Sequence, residues 1–116
     1  MTQLEIANKW FEAFNAQNIE MLLSLYDDNA EHFSPRLLKN NPDTKGIIKG
    51  KTEMNKWWQG AFNKMPSLRY YPLEISEEGD KVLLKYNRCV ETDEDQIINE
   101  SLQIKNELIV FSKVII

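Results

Sequence analysis

The chain has 116 residues, 42% of them hydrophobic and 28% charged, the size and balance of one globular domain that can bury its own core. Its 18 acidic and 14 basic side chains leave a formal net charge of −4, which argues against a nucleic-acid partner, because phosphate backbones are held by a basic face. One cysteine, Cys89, and one histidine, His32, exclude an intrachain disulfide and a metal site of the usual Cys/His spacing, so neither metal nor cofactor is expected.

The opening residues have neither the basic start nor the apolar run of a leader, and no apolar stretch reaches bilayer-spanning length. A cytoplasmic domain with no membrane partner is the expectation. Thr2 and Glu5 stand at capping-box spacing. Leu4, Ala7, Trp10, Phe11 and Phe14 then recur at helical spacing, which predicts a first helix broken at Asn15-Ala16-Gln17-Asn18. Asn18 is a good cap for a second helix with Ile19, Leu22, Leu23 and Tyr26 as its buried stripe, ending at Asp27-Asp28-Asn29. Ala30 to Ser34 reads as a short extended piece stopped by Pro35. The stretch from Pro35 to Gly50 reads as a long loop, either a lid or a partly disordered connection.

Met54, Trp57, Trp58, Ala61, Phe62 and Met65 follow the i, i+3, i+4, i+7 pattern of a third helix, with Thr52 as cap and Pro66 as stop. The rest reads as strands over Leu68 to Glu77, Lys81 to Thr92, Gln96 to Lys105 and Leu108 to Ile116. Three N-terminal helices on a curved, mainly antiparallel sheet make an α+β domain over residues 1–116.

Alternation in the strand after Asp80 puts Val82, Leu84, Tyr86, Arg88 and Val90 on one face, toward the helices. Folding the next strand back around Glu94 sets Arg88 opposite Glu100 and Tyr86 opposite Leu102, sorting apolar from polar almost completely. The last strand then sends Ile109, Phe111, Lys113 and Ile115 inward. Its other face is also apolar, with Leu108, Val110, Val114 and Ile116, which predicts a homodimer through the sheet.

These placements converge on a pocket for a small hydrophobic molecule. Trp10, Phe14, Trp57, Trp58 and Phe62 supply apolar walls, Tyr26 and Tyr71 add aromatic surface, and Arg88 and Lys113 supply charge. Glu100, His32 and Tyr86 are the groups that could exchange protons. Two readings stand side by side for the Arg88–Glu100 pair, a structural ion pair or the polar floor of the cavity. His32 likewise reads as a packing residue or as a pocket group.

Trp10-Phe11-Glu12-Ala13-Phe14-Asn15-Ala16-Gln17-Asn18, Leu25-Tyr26-Asp27-Asp28-Asn29-Ala30, Met65-Pro66-Ser67-Leu68 and Glu78-Gly79-Asp80-Lys81-Val82, in this order, resemble SnoaL-like proteins of the nuclear-transport-factor-two-like superfamily. The resemblance implies a cone-shaped α+β barrel with a deep pocket and frequent homodimers, in a family holding isomerases, cyclases, hydrolases and members without known activity. Ketosteroid isomerases, a related group, carry a tyrosine where this chain has Trp10, an aspartate base where it has Ser34, and an acid where it has Glu100. Serine has no usable basicity near neutral pH, so that activity is not expected. A binding domain, a SnoaL-like enzyme using Glu100, His32 or Tyr86, and a structural dimerisation module remain as readings.

Overall fold

A computed structural model describes residues 1–115; the sequence reading of Ile116 lies outside them. Among the described residues the order is α1 (Gln3–Asn15), α2 (Ile19–Ser24), β1 (Tyr26–Phe33), α3 (Pro35–Asn40), β2 (Ile47–Lys49), α4 (Gly50–Lys64), β3 (Arg69–Glu78), β4 (Lys81–Cys89), β5 (Gln96–Lys105) and β6 (Leu108–Ile115). The strands form one sheet in the order β2-β1-β6-β5-β4-β3. All pairings are antiparallel except β1 with β6. β2 and β3 end the sheet unpaired to each other, so the α+β cone is open.

The capping box at Thr2 and Glu5 forms with both its hydrogen bonds. α1 buries Ile6, Ala7, Trp10, Phe11, Ala13 and Phe14, while Leu4 is exposed; the stripe runs through Ile6 instead. Asn15 does more than end the helix. Its amide donates to Tyr70 O at 2.8 Å and accepts from Tyr70 N at 2.7 Å, clamping α1 to the start of β3. Gln17, in the left-handed region at φ 51°, donates to Met65 O at 3.0 Å and ties down the end of α4.

α2 is shorter than its stripe implies. Tyr26 belongs to β1, and Asp27-Asp28-Asn29 lies within that strand, where its pairing with β6 is irregular. The presumed long loop is also structured. Ser34 Oγ accepts from Leu37 N and caps α3, a 3-10 turn follows at Pro42–Thr44, and β2 pairs back onto β1. The sequence pattern of so short a helix and so short a strand is indistinguishable from a loop. Gly46, at φ +77°, allows this return, since a Cβ there would meet the Phe33 ring at 2.7 Å. α4 begins at Gly50 rather than at a Thr52 cap.

Alternation in β4 holds: Val82, Leu84, Tyr86, Arg88 and Val90 are buried. The hairpin register does not. Tyr86 faces Ile98, Leu84 faces Glu100 and Arg88 faces Gln96, so the turn is centred two residues before Glu94. An even slip keeps every residue on its face and changes only its partner, which is why alternation could not detect it. The observed register is locked at its far end. Ile104 N donates to Asp80 O at 2.8 Å and Gln103 donates to the Asp80 carboxylate at 2.9 Å.

β6 departs from simple alternation. Gln103 pairs with Phe111 but Ile104 with Ile109, so one residue bulges between them. A bulge reverses the facing of everything beyond it. Ser112 is buried in place of Phe111, and Lys113 is exposed.

Candidate functional site

Between α4, α3 and the inner sheet face lies a cavity of about 500 Å³. One wall is aromatic and continuous: Phe14 stacks on Tyr70 at 3.8 Å between ring centroids, Tyr70 on Tyr86 at 4.2 Å, and Trp10 on Phe14 at 5.7 Å. α4 supplies the facing wall with Trp57 and Trp58. Stacked rings at these spacings gain beyond area burial.

The floor is polar. Glu100 is 2% exposed; its Oε1 accepts the Tyr86 O–H at 2.7 Å, and its Oε2 has no hydrogen-bond partner. Burial pushes the Glu100 pKa up to about 7, against the opposing effect of the Tyr86 hydrogen bond. Burial, with the neighbouring Glu100 carboxylate, pushes the Tyr86 hydroxyl well above its ordinary value. Tyr86 is therefore a fixed donor at neutral pH, while Glu100 populates both its protonated and ionised forms.

A second polar chain enters from β1 and β6. Trp10 Nε1 donates to Tyr26 OH at 3.2 Å, Tyr26 OH donates to Ser112 Oγ at 3.0 Å, and Ser112 Oγ lies 2.6 Å from His32 Nδ1. Tyr26 fills one acceptor position of Ser112, and the serine proton has no other partner among the described residues. Nδ1 and Ser112 Oγ share one hydrogen bond, whose direction follows the His32 tautomer. Burial lowers the His32 pKa to about 4, so the imidazole is neutral at pH 7.

Arg88, 8% exposed, lies toward the mouth. Its Nη2 contacts Met65 Sδ at 3.3 Å, and its Nη1 is 3.7 Å from the carboxylate of Asp93, a half-exposed loop residue. The predicted pair with Glu100 is absent, because the register separates the two by two inward positions. The polar floor is a Tyr86–Glu100 pair instead.

Trp10, Phe14, His32, Trp57, Trp58, Tyr86, Arg88 and Glu100 thus come together around one cavity. Four predicted residues do not line it. Tyr71 is 54% exposed on the outer face, and its neighbour Tyr70 takes the inner position opposite Arg88. Lys113 is turned outward by the β6 bulge, its Nζ 5.7 Å from the Phe33 ring centroid. Tyr26 and Phe62 are buried behind the walls. Ser112, Arg36 and Lys64 were missed. Ser112 is invisible without the bulge, whereas Tyr70 follows from carrying the alternation of Arg88 across to β3. Ser34, at the position where ketosteroid isomerases hold their base, is occupied as the cap of α3. Among the described residues no group of three or more His, Cys, Asp or Glu side chains is arranged to hold a metal ion.

An open α+β cone with a cavity between its helices and the inner sheet face is the architecture of the nuclear-transport-factor-two-like proteins. Residues 7–97 match the SnoaL-like domain family, and the chain belongs to it. No curated protein is significantly similar to it. Among solved structures, a SnoaL-like protein of unknown function from Burkholderia thailandensis superposes with a TM-score of 0.87 at 21% identity, covering 99% of this chain and 97% of its own. IdmH, a proposed polyketide cyclase from Streptomyces antibioticus, gives 0.84 at 16% identity, covering 99% and 91%. TerC, co-crystallised with polyporic acid, gives 0.79 at 18%, covering 97% and 88%. At these identities the likeness is one of fold.

Proposed function

We propose that the chain binds a small, largely apolar molecule in the cavity and holds it by a hydrogen bond at the Tyr86–Glu100 floor. The observation that carries this reading is the unpartnered Oε2 of Glu100, a buried polar atom beside open space. A buried polar atom without a partner costs roughly 1–3 kcal/mol. A ligand hydroxyl or amide donor at that point removes the cost, and a stacked aromatic wall across from Trp57 and Trp58 suits a flat ligand. TerC, of the same fold, was co-crystallised with polyporic acid, in keeping with occupancy of such a cavity. The test is a panel of uncharged hydroxyaromatic compounds, read by thermal shift and by the fluorescence of Trp57 and Trp58. Compounds with a hydroxyl should raise the melting temperature and lose most of that effect in Glu100→Gln. A panel that leaves both signals unmoved would sink the reading.

A second reading is favoured by the near-neutral pKa of Glu100. A carboxyl populating both forms at pH 7 can take a proton and return it through its free Oε2, while the Tyr86 O–H holds Oε1 in place. This makes the domain an acid–base enzyme acting on an enolisable carbonyl compound. The readout is exchange of the α-protons of 6-hydroxy-2-acetylnaphthalene in heavy water, followed by NMR. Exchange above background that disappears in folded Glu100→Gln supports it; exchange unchanged by that substitution, or absent, rejects it.

The homodimer remains a proposal. Tyr71, Ile97 and Ile115 are exposed on the outer sheet face, an apolar set that suits self-association. Ile97→Lys is expected to convert the dimer to a monomer in analytical ultracentrifugation, and a wild-type chain already monomeric at all concentrations would reject this.

A further inference from the structure

The charge around the cavity runs against the charge of the chain. The protein as a whole is acidic, at −4, yet the charged side chains lining the cavity are four cations, Arg36, Lys56, Lys64 and Arg88, and one carboxyl, Glu100. Two of the cations have partial partners: Lys56 lies 3.6 Å from Glu53, and Arg88 3.7 Å from Asp93. Arg36 and Lys64 have no carboxylate within ion-pair distance among the described residues. Arg36 comes from α3 and Lys64 from the last turn of α4.

Arg88 is the more telling residue. A guanidinium has five N–H donors. In this protein Nη2 contacts a methionine sulfur and Nη1 stands beyond hydrogen-bond distance from one half-exposed carboxylate. The side chain is 8% exposed, and no Arg88 nitrogen is both fully buried and unpartnered, so its free N–H donors can take an anionic partner at the cavity. Arg88 and Arg36 both favour ionisation of the Tyr70 phenol on the cavity wall, although burial and the Glu100 carboxylate outweigh them and raise its pKa. Both guanidiniums line the same cavity.

We propose that the ligand is a small aromatic carboxylic acid whose carboxylate sits among Arg88, Arg36 and Lys64, with a hydroxyl at its far end bonded to Glu100. The proposal rests on the binding reading above and adds the chemical class. A planar guanidinium fork matches the two oxygens of a carboxylate, and Lys64 and Arg36 supply charge at the entrance. The positions of Arg88 and of Leu84, which faces Glu100, are four residues apart on β4. That is about 13 Å along the strand, a span that a two-ring ligand with a polar group at each end can bridge.

The experiment compares 6-hydroxy-2-naphthoate with its uncharged isostere 6-hydroxy-2-naphthamide by isothermal titration calorimetry. The carboxylate should bind about tenfold tighter or better in low salt, and the preference should shrink at about 0.5 M salt, where screening is strong. In the double variant Arg36→Gln/Lys64→Gln, both exposed positions, the preference should fall while the amide binds as before. Equal affinities for the two probes overturn the proposal and leave the cavity reading intact. A carboxylate preference untouched in the double variant removes these two side chains from the site and overturns the proposal as stated. If neither probe binds, both readings fall together.

Discussion

Glu100→Gln makes a thermodynamic prediction independent of any ligand. The folded protein holds the Glu100 proton up to about pH 7, where the ordinary value is 4.5. Between those values the folded state binds a proton that the unfolded state has lost, so stability falls as pH rises through the interval. At about 1.4 kcal/mol per pH unit the loss reaches roughly 3 kcal/mol by pH 8. His32 has the opposite sign. Its pKa falls from 6.5 to about 4 on folding, so its contribution is lost as pH drops below 6.5, by a similar amount. Over pH 4.5 to 6.5 the two slopes cancel, and the wild-type contribution of this pair is flat. Glutamine keeps an oxygen to accept the Tyr86 O–H and presents an uncharged amide to the cavity. The variant should therefore be more stable than wild type at pH 8, by up to about 3 kcal/mol or roughly 10 °C in melting temperature. It should lose that advantage steadily toward pH 4.5, because folded wild type regains the Glu100 proton over that range while the His32 slope is common to both proteins. Thermal and urea denaturation followed by circular dichroism at pH 4.5, 6.5 and 8 measure the difference, and titrating carboxylates elsewhere cancel in it. Wild type and variant unfolding together at pH 8 would show that the buried carboxyl is not held protonated, and the reasoning about the floor would fail.

Tyr86→Phe removes the only hydrogen bond to the Glu100 carboxyl among the described residues. The carboxyl pKa should rise further, visible in the carboxyl carbon shift by NMR, with about 1–3 kcal/mol lost at pH 8; an unmoved titration would refute the pairing. Ser112→Ala leaves His32 Nδ1 and the Tyr26 hydroxyl without their shared partner and should lower urea stability by about 1–3 kcal/mol, whereas a neutral effect would mean that the chain of hydrogen bonds is not formed. Gly46→Ala forces a Cβ to within 2.7 Å of the Phe33 ring at φ +77°. A loss of roughly 1–3 kcal/mol is expected in thermal denaturation, and an unchanged melting temperature would show that β2 is not held against β1 as described.

Local physics decided what could be read from the sequence alone. Capping at Thr2 and Asn18, the helical stripe from Met54 to Phe62 and the period-two alternation of β4 each depend on neighbours in the chain. They are legible because a side chain's face follows from the backbone period. This reading also put Tyr86, Arg88 and Glu100 on the face that meets the helices. Tertiary structure decided who touches whom. An even slip in the β4–β5 register leaves every face unchanged but gives Glu100 to Tyr86 instead of Arg88. One bulged residue in β6 exchanges Lys113 for Ser112 and so gives His32 its partner. Neither a register slip of four residues nor an extra residue alters local propensity. Both are chosen by contacts between strands far apart in the chain, and the cavity, with its unpartnered carboxyl oxygen and its cationic mouth, exists only through those contacts.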